Sequence, residues 1–155
     1  MVVVVVIGIV ATLVTLNLGG DGARDLGREA KRLAGALEHA QALAQWQSET
    51  LGVSADGGGY RFWRRDGDDR WTVLAGDDVL APRTLAAGMT LVPHRYAGAP
   101  VPPDAILPFR PSGRNEPYAL ALASSAGTAV VTGDPIGRVR YAVAEPGTDL
   151  AAMPH

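Results

Sequence analysis

The first charged residue of this 155-residue chain is Asp21, and the twenty residues before it read MVVVVVIGIVATLVTLNLGG. Coiled as an α-helix at about 1.5 Å per residue, such a run reaches about 30 Å, the thickness of a bilayer's hydrocarbon core. Valine-rich segments form helix reluctantly in water, but in lipid a single segment must satisfy its own backbone, and helix is the form that does so. Thr12 and Thr15 can bond back to the preceding turn, and Asn17 falls near the expected interface. The run is apolar on every side, which argues against a helix buried on one face of a soluble core. No basic residue precedes it and no small-residue cleavage pattern ends it, so a removable signal peptide fits less well than an anchor. Residues 1–20 are therefore expected to form a single membrane-spanning helix.

Within that helix Val3, Ile7, Val10 and Val14 share one stripe, and Gly8 beside it leaves room for a neighbouring helix, so this face is expected to pack against other helices. Arg24, Arg28, Lys31 and Arg32 all follow the span. Taken alone, the positive-inside rule places the rest of the chain in the cytoplasm. A basic leader upstream of Met1 would reverse that orientation, and such a leader is expected.

From residue 21 to about residue 50 the pattern turns amphipathic. Leu26, Ala30, Leu33, Leu37, Ala40 and Ala44 recur at alternating spacings of three and four, one stripe of a helix running from Arg24 to Trp46. Leu43 and Trp46 are expected to widen the stripe. Arg28, Glu29, Lys31, Arg32 and Glu38 fall on other faces, with Asp25 and Glu29 each set to pair with a basic residue three positions on, Arg28 and Arg32. Gly19, Gly20 and Gly22 around Asp21 suggest a hinge between the apolar and amphipathic halves. His39 reads as a boundary residue.

Residues 51–144 change to short strands separated by turn residues, an antiparallel β domain, and 145–155 read as a frayed tail. Expected strands are Tyr60–Arg64 and Trp71–Leu74, joined by a turn at Asp66-Gly67-Asp68, then 89–92, 106–109, 118–123, 128–132 and 138–143. Pro100, Pro102 and Pro103 exclude the interior of a sheet. A long helix followed by antiparallel strands gives an α+β class.

Little in the chain suggests chemistry. There is no cysteine, and the three histidines are scattered. Asp66, Asp68 and Asp69 lack a calcium-loop spacing and read as turn chemistry. No serine sits in a nucleophile-elbow pattern. Catalytic, cofactor-binding and metal-ligating residues are accordingly assigned as none. The formal net charge of -2 argues against a general affinity for nucleic acid. All but one of the 14 basic residues are arginine; Arg61, Arg64, Arg65 and Arg70 cluster at the first hairpin, and Arg138 and Arg140 are placed on one strand face, where they could hold phosphates.

The apolar helix followed in order by YRFW, RWTVL, VLAPRTLAAGMTL, ILPFRPSGRNEPYALAL and GDPIGRVRYA resembles the H-type minor pseudopilins of type II secretion, in the family shared with FimT-type minor pilins. The resemblance implies a long spine helix, an antiparallel β-sandwich-like domain, no enzymatic activity and no cofactor. It also implies a structural role in a pseudopilus that supports protein export, at its tip, with I-, J- and K-type minor pseudopilins and the major pseudopilin as partners. The location implied is the bacterial inner membrane, single-pass, with the C-terminal domain in the periplasm. The family's G-F-T-L-x-E processing motif is not present, so the resemblance implies that it precedes Met1, where a prepilin peptidase would act on it. The alternative is a FimT-type minor pilin that binds DNA during natural transformation through a GRxR pattern matched by Gly137–Arg140.

Overall fold

A computed structural model describes residues 21–74 and 76–144. Helix α1 (Asp21–Gln47) is followed by ten strands. They are β1 (Leu51–Ala55), β2 (Gly59–Arg65), β3 (Trp71–Val73), β4 (Arg83–Thr84), β5 (Thr90–Tyr96), β6 (Ala99–Pro100), β7 (Leu107–Phe109), β8 (Tyr118–Ser124), β9 (Gly127–Gly133) and β10 (Val139–Ala144). The expected spine segment, including Val3, Ile7, Gly8, Val10 and Val14, and the expected tail lie outside the described residues. Among the described residues no helix is long and apolar enough to cross a membrane.

The stripe dictates how α1 packs. Leu26, Ala30, Leu33, Leu37, Ala40 and Ala44 are all fully buried, and the alternation of alanine with leucine lets the backbone lie close to the sheets. Gly22 extends that approach, since a Cβ there would come within 2.8 Å of the Ala126 side chain on the β8–β9 turn. The helix stops where Ser48 turns left-handed (φ 54°) and Glu49 N–H bonds back to the Ala44 carbonyl at 3.0 Å.

Two expectations for α1 are corrected. Trp46 does not widen the apolar stripe: it is 87% exposed, about 200° round the helix from Ala44 and so opposite the buried face. Glu29 does not pair with Arg32 on the surface. It points inward and takes Arg83 in a two-pronged ion pair, Oε1 to Nε at 2.6 Å and Oε2 to a terminal guanidinium nitrogen at 2.9 Å. Glu29 directly precedes Ala30 of the buried stripe, and Arg83 of β4 offers that flank a fixed fork of donors.

The strands form two five-stranded antiparallel sheets. The first has the order β3-β2-β1-β7, with β4 also pairing β2; the second runs β10-β9-β8-β5-β6. A single bridge between Gly57 and Leu91 links them. Leu51, Val53, Phe62, Leu107 and Phe109 of the first sheet and Leu91, Leu120, Leu122 and Val131 of the second join the helix stripe in one continuous core. The β2–β3 hairpin forms as expected, with Trp63 opposite Val73. Pro100 does enter a strand, but β6 is the edge of its sheet, where a missing N–H is tolerated.

Candidate functional site

The second sheet has two faces with different fates. Tyr118, Leu120 and Leu122 of β8 turn toward α1. The Tyr118 hydroxyl accepts a hydrogen bond from Gln41 Nε2 at 3.1 Å, and burial pushes its phenol pKa far up, with nearby Glu38 and Asp134 adding to the rise. Gln41 is itself buried and satisfied: its amide also donates to the Leu37 carbonyl, and its oxygen accepts from Asn115 Nδ2 at 3.3 Å. Asn115 Oδ1 accepts from Arg110 N–H at 2.7 Å, so a polar chain ties the helix to the 110–115 loop. The alternate residues of β8, Ala119, Ala121 and Ala123, therefore belong to the outer face.

On that outer face one row crosses four strands. Arg95 of β5 stands opposite Ala119 of β8, Ala119 opposite Thr132 of β9, and Thr132 opposite Arg140 of β10. Directly opposed residues of antiparallel strands share a face. Two small residues thus separate two arginines across three inter-strand spacings, about 14 Å. The row depends on a β-bulge: the β5–β8 register shifts between Pro93 and Arg95, which leaves His94 as the extra residue and brings Arg95 opposite Ala119. Arg138 reaches the same place from the turn before β10. Together these groups line a trough of about 510 Å³, with Arg95 at one end and Arg138 and Arg140 at the other.

The trough's one acid, Asp134, also holds the turn beside it. Its Oδ1 accepts the backbone N–H groups of Ile136 at 3.0 Å and Arg138 at 2.8 Å, closing the β9–β10 turn. Among the described residues the guanidiniums of Arg95, Arg138 and Arg140 have no hydrogen-bond or ion-pair partner. The site can hold anions.

Of the residues singled out in the sequence, Arg138 and Arg140 come together as expected, although Arg138 precedes the strand rather than lying on it. Sequence reasoning missed Arg95, because nothing in TLVPHRY marks which residue bulges. The hairpin arginines form no binding patch. Arg64 lies 2.8 Å from Glu49, Arg65 3.2 Å from Asp69 and Arg70 3.4 Å from Asp68, while the Arg65 guanidinium sits 5.9 Å from the Trp71 ring centre. Asp66 acts in the turn, its Oδ1 accepting N–H bonds from Asp68 and Arg70. His39, half-exposed within α1, acquires a partner, Asp77, at 2.9 Å.

Comparison with known proteins gives this fold its family. The model of the family "Type II transport protein GspH" matches residues 29–144. The type II secretion system protein H of Aeromonas hydrophila is 35% identical over 91 residues, which cover 57% of this chain and 50% of that protein, so the match spans about half the relative's length. The minor pseudopilin EpsH of the Vibrio cholerae type 2 secretion system superposes with a TM-score of 0.62 at 22% identity, covering 80% of this chain and 99% of that one. The E. coli GspH solution structure gives 0.57 at 16% identity, covering 82% and 94%. A helix followed by antiparallel sheets is the fold of these type IV pilin-like pseudopilins, and the chain belongs to the GspH family of type II transport proteins.

Proposed function

We propose that this chain is a minor pseudopilin, a structural component of the type II secretion pseudopilus, placed at its tip and supporting protein export across the outer membrane. The observation that carries the reading is the family match over 29–144, which takes in most of α1 and every strand. In this reading residues 1–20 anchor the chain in the inner membrane and later pack as a spine helix, while residues 51–144 stand in the periplasm. Its partners are other pseudopilins, the I-, J- and K-type minor members and the major one. The work is mechanical and architectural rather than catalytic.

A second reading, a FimT-type minor pilin that takes up DNA, draws on Arg138 and Arg140 lining one trough. The net charge of -2 opposes it. Deleting the gene in its host separates the two. Loss of secreted proteins from the medium, restored by a plasmid copy, supports the pseudopilin reading. Intact secretion with lost transformation overturns it.

A further inference from the structure

Several arginines of this chain are matched by acid. The hairpin arginines lie against Glu49, Asp69 and Asp68, and Arg83 against Glu29. Arg95, Arg138 and Arg140 have no such partner among the described residues, and they gather at a single place, a trough floored by Ala119 and Thr132. Three like charges held around one depression repel each other, and among the residues lining it Asp134, whose Oδ1 holds backbone N–H groups, sets only one negative charge against them. A bound anion would offset the remaining repulsion.

We propose that the trough is a docking site for an extended acidic segment of a partner protein, with one carboxylate at Arg95 and a second at Arg138 and Arg140. The spacing sets the ligand's pattern. About 14 Å corresponds to four residues of extended chain at about 3.4 Å each. Residues i and i+4 of such a chain project to the same side, and residue i+2 between them projects to that side as well. The matching segment is therefore two acidic residues four apart with a small apolar residue midway, set on the Ala119–Thr132 floor.

A nucleic acid fits the same surface less well. Among the described residues lining the trough the one aromatic ring, Tyr118, is 3% exposed and offers no face for stacking a base. Three phosphate contacts give a salt slope of only about -2.7 on duplex DNA, and a chain of net charge -2 supplies no wider basic track. Short carboxylate-bearing segments need no such track.

The test uses the full chain in detergent and three fluorescein-labelled peptides, read by anisotropy at low salt. One carries two glutamates four residues apart with valine midway; the second has glutamines in their place; the third sets the glutamates three apart. The first peptide is expected to saturate, the second not to bind, and the third to bind more weakly, since its two carboxylates face opposite sides. Arg95→Gln and Arg140→Gln are each expected to weaken the first peptide by up to about fivefold, and the double variant by about tenfold or more, with unchanged thermal melting. Arg61→Gln, on the other sheet, leaves binding intact. Equal binding of the glutamine peptide, or an equal loss in Arg61→Gln, overturns the proposal. So does a single-stranded 20-nucleotide DNA that binds more tightly than the peptide and displaces it, which assigns the trough to nucleic acid. None of these readouts involves secretion, so their failure is distinct from failure of the pseudopilin reading.

Discussion

Glu29 shows how much one residue can carry that a helical pattern does not reveal. Spacing alone paired it with Arg32; the fold instead brings β4 within reach and buries the carboxylate against Arg83. That contact holds the Arg83 guanidinium above its ordinary pKa. It also bears on Tyr60, whose phenol is pushed up to about 12 by burial first and by the Glu29 charge second. Removing one partner of a buried pair costs about 3–5 kcal/mol when the orphaned charge is fully dry. Arg83 keeps a side-chain exposure of 31%, so Glu29→Gln is expected to cost less, about 1–3 kcal/mol by urea unfolding. Replacing both Glu29 and Arg83 by methionine should restore most of it. A second residue-scale contact sets a pH dependence. The hydrogen bond from His39, with backbone N–H groups of Val79 and Leu80, holds the Asp77 carboxyl below its usual 3.8. A folded-state pKa below the unfolded one favours the ionised form, so this contribution is complete above about pH 4 and fades as pH falls through the folded value. Asp77→Asn is therefore expected to lower stability near neutrality and to flatten the acid limb of the unfolding-midpoint profile between pH 5 and pH 2. A variant with an unchanged acid limb would mean that the contact contributes nothing.

Among the elements, α1 was the most legible because its signal is periodic: all six residues of the stripe are fully buried. The longer strands β2, β8, β9 and β10 were legible to within a residue at each end, whereas β5 was expected only over 89–92 and runs on past Pro93 to Tyr96. β1 was not, since Leu51-Gly52-Val53-Ser54-Ala55 has weak strand propensity and is held by pairing on both sides, with β2 and β7. β4 and β6 are two residues each, set by tertiary contact and by the Ala97-Gly98 turn, both of whose residues have positive φ. The trough was half legible for the same reason: Arg138 and Arg140 are neighbours in sequence, whereas Arg95 joins them only through a bulge and two intervening strands. The coupling of helix to sheet passes through Tyr118, which bonds Gln41 on one side and lies against Gly133 on the other. A Cβ at Gly133 would collide with the Tyr118 ring, and the ring is buried on both sides. Gly133→Ala is thus expected to cost about 1–3 kcal/mol, with loss of the Tyr118–Gln41 hydrogen bond. The check is denaturant unfolding together with amide exchange across α1, which should rise in the Gly133→Ala chain and stay unchanged in a Gly67→Ala control, where a Cβ meets open space.

At the scale of the whole molecule, the helix and the arginine trough lie on opposite faces of the second sheet. If α1 continues the spine of a filament, its partners approach from the helix side, and the trough faces away from the bundle toward the periplasm. The two surfaces should then be separable by mutation. In lipid, helices gain no hydrophobic free energy from touching, so association rests on close packing. The Val3, Ile7, Val10 and Val14 stripe with Gly8 is the surface proposed to provide it. In the proposed spanning helix Val10→Arg would put a charge near the middle, at a membrane cost of about 2.5–3.5 kcal/mol, and is expected to reduce membrane insertion and secretion together. Gly8→Leu adds only apolar bulk at the contact. Insertion should remain intact, while crosslinking to I-, J- and K-type partners and secretion should both fall. Arg140→Gln, on the far face, should leave insertion and spine crosslinking as they are. Membrane fractionation and cysteine crosslinking in the three variants decide the matter: undiminished crosslinking in Gly8→Leu would mean that this face does not pack, and would reduce the first twenty residues to a plain anchor.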